Sequence, residues 1–202
     1  MEVKKYFTNY IQLIEKIFTN SETDNLEVLF ESIEKCFESN GRIFLAGNGG
    51  SAAIANHAAA DLSKLSKNEK FLSPISLTTN IPQITANSND DSYENVFILS
   101  ARNYNMNSND LIIAISSSGN SKNIINLVKY GKQNKVRTFA LLGFNGGVIN
   151  DLVDFPVLMN SENDYYGPVE DLHMMIFHFL AHRIKNDIKE INWNWFYFRS
   201  CF

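Results

Sequence analysis

Little in this chain acts as a staple, an anchor or a bulk charge. It has two cysteines, Cys36 and Cys201. They lie far apart and form no ligand or redox motif, so free thiols in a reducing cytoplasm are expected. No apolar run approaches the roughly 18 to 20 residues that cross a bilayer, which predicts no membrane span. The opening segment MEVKKYFTNYIQLIEKIF is amphipathic and carries Glu and Lys throughout, unlike a basic-then-apolar leader. Cationic excess is missing too: the formal net charge is −4. That argues against a general nucleic-acid surface and leaves room for local anion sites built from amides. What is present is an ordinary globular composition, 45% hydrophobic and 20% charged over 202 residues, enough for one domain with a well-buried core.

One stretch organises the rest. The apolar run 42–46 stops at Gly47-Asn48-Gly49-Gly50-Ser51, and Ala-rich sequence with polar residues at helical spacing follows. This predicts strand, tight turn and helix, with Ser51 able to cap the helix. Glycines there admit close backbone approach, and a helix N-terminus suits an anion such as phosphate. Two nucleotide readings lose ground on what the turn lacks. The dinucleotide pattern needs a third glycine where Ala52 stands, and a P-loop needs a lysine that does not occur here. On the helix, His57 and Asp61 are four residues apart and share a face. They suit metal binding or proton exchange, or a simple surface pair.

Taken in order, the apolar positions over 6–18 and 25–39 each make one helical stripe, the second ended by Asn40-Gly41. After the organising stretch, 75–79 reads as a second strand, 87–92 as a polar connection and 93–103 as a helix. The unbroken run 111–115 reads as a central strand buried on both faces. It ends in Ser116-Ser117-Ser118-Gly119-Asn120-Ser121, before a helix over 122–134. Strands follow at 136–142, then the glycine turn 143–147, then 155–158. A long helix from about Pro168 to Asp187 holds Glu170, Asp171, His173, His178 and His182, so three of the four histidines lie within ten residues. The alternation predicts an α/β fold: a doubly wound, five-stranded parallel sheet flanked by helices, with N-terminal helices in 1–40. Ligands then belong at the carboxyl ends of the strands, where both small-residue loops fall. We take 1–190 as one domain and 191–202, with six aromatics in twelve residues, as a tail that docks on its own domain or a neighbour.

Jointly these motifs resemble a known family. The pattern G-N-G-G-S-x-x-x-A-x-H at 47–57, Asn89-Asp90, S-S-S-G-N-S at 116–121, Gly146-Gly147 and E-D-x-H-x-x-x-x-H at 170–178 are similar to sugar-isomerase (SIS) domains, and within them to phosphoheptose isomerases. The resemblance spans 6–188. It implies isomerisation of sedoheptulose 7-phosphate to D-glycero-D-manno-heptose 7-phosphate, toward heptoses of lipopolysaccharide or capsule. It also implies a cytoplasmic homotetramer with sites between subunits and one zinc per subunit. On the same ground Ser51, Ser116, Ser117, Ser118 and Ser121 would hold the phosphate. Asn48, Gly49, Gly50, Asp90 and Glu170 would meet the substrate. His57, Asp61, Glu170 and His178 would hold the metal, with Asp61 as base and His178 as acid.

Three positions depart from the family pattern: Asp61 replaces the usual Glu, Glu170 the usual Gln, and Pro168 an Arg that often stands there. A carboxylate at 170 adds charge favourable to a cation. Spacing adds a constraint, because eight residues separate Glu170 from His178, or about 12 Å along an ideal helix. Either the helix start bends, or the two serve from different subunits. Two other readings stay open. One is an isomerase of a different sugar phosphate; the other is a non-catalytic SIS adaptor that binds the replication initiator, which tends to lack the second histidine.

Overall fold

The computed structural model describes residues 2–21, 23–67, 70–161 and 165–186. In chain order the elements are α1 (Val3–Thr19), α2 (Asp24–Ser39), β1 (Arg42–Gly47), α3 (Gly50–Ser63), β2 (Ser66–Lys67), β3 (Lys70–Phe71), β4 (Ser73–Ser76), α4 (Ile81–Asp90), a 3₁₀ turn (Tyr93–Asn95), α5 (Val96–Arg102), β5 (Leu111–Ser116), α6 (Lys122–Gln133), β6 (Arg137–Phe144), α7 (Gly147–Leu152), β7 (Phe155–Asn160) and α8 (Tyr166–Asn186). Five strands form one parallel sheet in the order β4-β1-β5-β6-β7, while β2 and β3 pair as a small antiparallel ribbon.

Strand alternation sorts the side chains into two cores. Ile43, Leu45, Leu111, Ile113, Ile115, Phe139 and Leu141 point to one face, where residues of α2, α3 and α8 meet them. Phe44, Ala46, Ile112, Ala114, Ala140 and Leu142 point to the other, under residues of α5, α6 and α7. A strand buried on both faces needs an unbroken apolar run, which is why β1, β5 and β6 stand out in the sequence. Helix α8 buries Leu172, Ile176, Phe177 and Leu180 in the first core, each side chain stabilising by about 2 kcal/mol. Those contacts fix the rotation of α8 and hence where Glu170 and His178 stand.

Several expected boundaries shift. The second strand is 73–76 rather than 75–79, and residues 87–90, expected in a loop, close helix α4. That helix has no buried residue and so no apolar stripe; it starts on Asn80, whose side chain accepts from the Gln83 N–H at 3.2 Å, with Pro82 in its first turn. The expected helix over 93–103 begins as a 3₁₀ turn, and α7 follows the glycine turn without having been anticipated. Asn40, with φ of 54°, makes the left-handed close of α2. Helix α8 runs unbroken from 166 to 186, so no bend separates Glu170 from His178. The tail at 191–202 lies outside the described residues. Among those described, no helix is long and apolar enough to cross a membrane.

Candidate active site at the carboxyl edge of the sheet

Parallel register brings the ends of β1, β5 and β6 side by side: Gly47 lies opposite Ile115, and Ser116 opposite Leu142. The two loops singled out in the sequence therefore meet at one edge. In the first, a side chain at Gly47 would run into the Ser51 backbone. Gly49 takes φ of 53° and serves as the N-cap of α3. Ser51 is not the cap; it is buried in the first turn of the helix. Gly50 leaves room for the Glu170 carboxyl, which occupies the space its side chain would fill.

Ser116 and Ser117 are buried, Ser118 half-buried, and Ser121 is the N-cap residue of α6. Gly119, with φ of 63°, abuts the Gly146 carbonyl so closely that no side chain fits. The loop is held from behind. Gly143 N–H donates to Ser117 O at 3.0 Å, Ile149 N–H to Gly119 O at 3.0 Å, and Val148 N–H to Asn120 Oδ1 at 3.1 Å. Yet the Ser117 hydroxyl is buried with no hydrogen-bond partner, which is costly unless a ligand supplies one.

Asn48 is tied into a network that sequence reasoning missed. Its Nδ2 donates to Asn123 Oδ1, and Asn123 Nδ2 donates back to Asn48 Oδ1, each at 2.9 Å. The Tyr93 hydroxyl donates to the same Asn48 oxygen at 2.7 Å. Neither Tyr93 nor Asn123 carries a pattern that a single sequence would flag. Asp90 is exposed at the end of α4, where its carboxylate accepts from Asn89 at 3.0 Å.

Helices α3 and α8 cross where His57 meets His178, their Nε2 atoms 3.1 Å apart. Asp61 Oδ2 lies 3.1 Å from His57 Nε2, one turn along α3, while Asp61 Oδ1 pairs with Lys64 Nζ at 3.2 Å. One donor atom from each of His57, Asp61 and His178 falls within 4.8 Å of the others. Glu170 does not join this cluster within the chain. It stands at the first turn of α3, and burial, then the neighbouring Asp171 charge, push its carboxyl above the usual range. Among the described residues it has no cation partner. Asp171 itself accepts from the Tyr10 hydroxyl at 2.6 Å, tying α8 to α1. Of the clustered histidines, His173 is a core group: fully buried, it meets Leu142 O at 3.0 Å, and burial pushes it down to about 4. It is neutral at physiological pH and holds α8 to the end of β6.

A serine-lined loop with an unsatisfied hydroxyl meets a glycine turn at one sheet edge, and the His/Asp/His cluster lies two to three turns down α3 from it, about 10 to 16 Å along the helix. This arrangement suits an anionic ligand whose other end undergoes proton transfer. The family model "SIS domain" matches residues 5–143. Phosphoheptose isomerase of Helicobacter pylori (strain ATCC 700392 / 26695) is 34% identical over 94% of this chain and 97% of its own. That of Clostridium acetobutylicum is 32% identical over 88% and 90%. The structure of phosphoheptose isomerase GmhA from Neisseria gonorrhoeae superposes with a TM-score of 0.79 at 29% identity, covering 92% of this chain and 97% of that one.

Proposed function

The chain belongs to the phosphoheptose isomerases of the SIS-domain family, and from that premise we propose that it interconverts sedoheptulose 7-phosphate and D-glycero-D-manno-heptose 7-phosphate. Residues 1–190 then form one SIS domain and 191–202 an aromatic tail, in a cytoplasmic enzyme feeding heptoses to lipopolysaccharide or capsule. The observation that carries the reading is the cluster of His57, Asp61 and His178 between α3 and α8, in a chain whose serine loop leaves the buried Ser117 hydroxyl without a partner. Ser116, Ser117, Ser118 and Ser121 hold the phosphate at the start of α6, where helix amides and the buried Ser117 hydroxyl await an acceptor. The start of α3 is less suited to it, because the Glu170 carboxyl already stands there. Ser51, Gly49, Gly50, Asn48, Asp90 and Glu170 face the sugar.

Aldose–ketose isomerisation moves a proton between neighbouring carbons while charge builds on the adjoining oxygen. Asp61 Oδ2 takes the proton, and His178 Nε2 supplies one to the oxygen. His57 Nε2 faces both at 3.1 Å and orients one in each tautomer, donating to Asp61 Oδ2 or accepting from His178 Nε2. Two imidazole nitrogens and a carboxylate oxygen are also a donor set that zinc accepts, with positions left for substrate. The residues therefore fit one zinc, held by His57, Asp61 and His178. Glu170 of the partner subunit would complete the set, because on the unbroken α8 a chain's own Glu170 stays at the other end of the site. On this reading the protein is a homotetramer with its sites between subunits. The chemistry such an ion supplies is polarisation of the oxygens on the reacting carbons.

The test is turnover of sedoheptulose 7-phosphate by purified protein, before and after chelation and with zinc restored, alongside its mass in solution. Conversion that chelation abolishes and zinc restores supports isomerase and metal together, and assigns Asp61 to the ion. Conversion that survives chelation leaves Asp61 as the base. A fully active monomer would overturn the shared site. No conversion by folded, zinc-loaded tetramer would turn the assignment to another sugar phosphate, and then to the non-catalytic adaptor.

A further inference from the structure

We infer that Asn123 and Tyr93 fix which way the Asn48 carboxamide faces, so that Asn48 and Tyr93 together read a hydroxyl group of the sugar. This rests on the proposed role of Asn48 as a substrate contact. The chain of constraint starts at the backbone. The Ile124 N–H is shared between the Ser121 carbonyl at 3.0 Å and Asn123 Oδ1 at 2.9 Å, and a flipped Asn123 would set its own N–H groups against it. Asn123 Oδ1 also accepts from Asn48 Nδ2 at 2.9 Å, and Asn123 Nδ2 donates to Asn48 Oδ1 at 2.9 Å. A flipped Asn48 would set N–H against N–H and oxygen against oxygen at this pair. With Asn48 Oδ1 so placed, the Tyr93 hydroxyl must donate to it, at 2.7 Å.

The remaining capacity can be counted from the donors and acceptors each group owns. Asn48 Oδ1 accepts twice and is full. Asn48 Nδ2 has spent one of its two N–H groups and keeps one. The Tyr93 oxygen has committed its proton and keeps a lone pair. The pair therefore offers one donor and one acceptor. A phosphate oxygen cannot use the acceptor and an ammonium cannot use the donor, whereas a hydroxyl uses both. Exposure divides the labour the same way: Asn123 is 3% exposed and Tyr93 is 54% exposed. Asn123 is a positioning residue, and Tyr93 stands where a ligand can reach it.

The turn that carries Tyr93 is itself fixed to α6. Lys122 Nζ meets Glu94 Oε1 at 2.7 Å, and Asn126 Nδ2 donates to the Glu94 carbonyl at 3.0 Å. Lys122, Asn123 and Asn126 thus bind the glycine turn and the Tyr93 turn to the helix whose start holds the phosphate. Sugar recognition and phosphate affinity rest on separate groups joined by one helix.

The experiment compares wild type, Tyr93→Phe and Asn123→Asp by calorimetric binding of sedoheptulose 7-phosphate and of inorganic phosphate, with KM and kcat beside them. Phe removes the hydroxyl; Asp keeps the acceptor for Ile124 and Asn48 but cannot donate to Asn48 Oδ1. Each variant should weaken sugar-phosphate binding and raise KM about tenfold, the value of one lost hydrogen bond. Tyr93→Phe should bind inorganic phosphate within about twofold of wild type and hold kcat within about twofold, whereas the carboxylate that Asn123→Asp adds at the start of α6 lowers phosphate affinity by charge alone. Sugar-phosphate affinity that is unchanged in either variant, or phosphate affinity that falls in parallel in Tyr93→Phe, overturns the inference. Tyr93 is exposed, so Tyr93→Phe decides the matter alone if Asn123→Asp does not fold. Wild type that binds the sugar phosphate without turning it over sinks the isomerase reading and leaves this one to the same binding comparison. Wild-type turnover with variants that bind like wild type sinks this inference alone.

Discussion

The two ends of the same sheet are built on opposite rules. At the amino end the Asp110 and Asp154 carboxylates are spent on the protein itself. Arg42 meets Asp110 with two hydrogen bonds, Nη2 to Oδ2 at 2.6 Å and Nε to Oδ1 at 3.0 Å, and the Arg42 and Asn107 N–H groups add two more at 2.9 Å. Asp154 accepts from the Thr138 N–H and hydroxyl and pairs with Lys132. Burial opposes ionisation of both carboxyls, but these hydrogen bonds outweigh it and hold both below the usual range. At the carboxyl end the Ser117 hydroxyl has no partner and Glu170 has no cation among the described residues, and between the helices α3 and α8 that start there three donor atoms lie within 4.8 Å of one another. One end stabilises the fold; the other keeps polar groups open for a ligand, at a cost in stability.

The largest effect expected from that contrast is on activity without stability. Asp61→Asn and His178→Ala should each lower turnover at least roughly a hundredfold, the scale of a lost acid or base. Their melting temperatures should stay within about 2 °C of wild type, because His178 is exposed, Asp61 half-exposed, and neither anchors a core. Steady-state kinetics beside thermal unfolding reads both numbers. Near-normal turnover in either variant would remove that residue from the chemistry. A melting temperature that fell with activity would erase the distinction between the two ends.

How much of this was legible in the sequence depends on what marks each part. The strands β1, β5 and β6 announced themselves because burial on both faces demands unbroken apolar runs. The two small-residue loops did so because Gly47 and Gly119 stand where backbone approaches backbone. Helix α4 did not, since a helix with nothing buried has no stripe to read. His57 and Asp61 were visible by spacing and His178 by resemblance, and the crossing of α3 over α8 brings the three together while His173 goes into the core. The Asn48–Asn123–Tyr93 network was hidden for a different reason: it joins residues 75 and 45 positions apart, and asparagine pairs leave no periodicity.

At the amino end the contrast predicts stability loss with activity kept. Asp110→Ala would leave the Arg42 head and two backbone N–H groups without their acceptor, and should cost about 3 kcal/mol, or roughly 6 to 12 °C in melting temperature for a chain of this size. Turnover below the transition should hold near wild type. The sign of the pH dependence follows from the depressed carboxyl. Its contribution is fully present above the ordinary value of 3.8 and is lost as pH falls through the lower folded value. Wild type and variant should therefore converge in acid. Equal melting temperatures at neutral pH would mean that the amino end is no better tied than the other.

The smallest effect tests the opposite sign at Glu170. Its folded carboxyl titrates above the ordinary 4.5, chiefly through burial and then through Asp171. The unfolded state therefore holds its charge more readily, and stability falls as pH rises past that ordinary value. In zinc-free protein Glu170→Gln keeps the shape and removes the charge, so it should raise the melting temperature by about 1 to 2 °C at pH 8. The gain should vanish below pH 4.5, where both states carry the proton. Thermal unfolding across that range decides it. A variant less stable than wild type at pH 8 would mean that Glu170 is paid back by the positive end of α3, and that the carboxyl edge is as well satisfied as the amino edge.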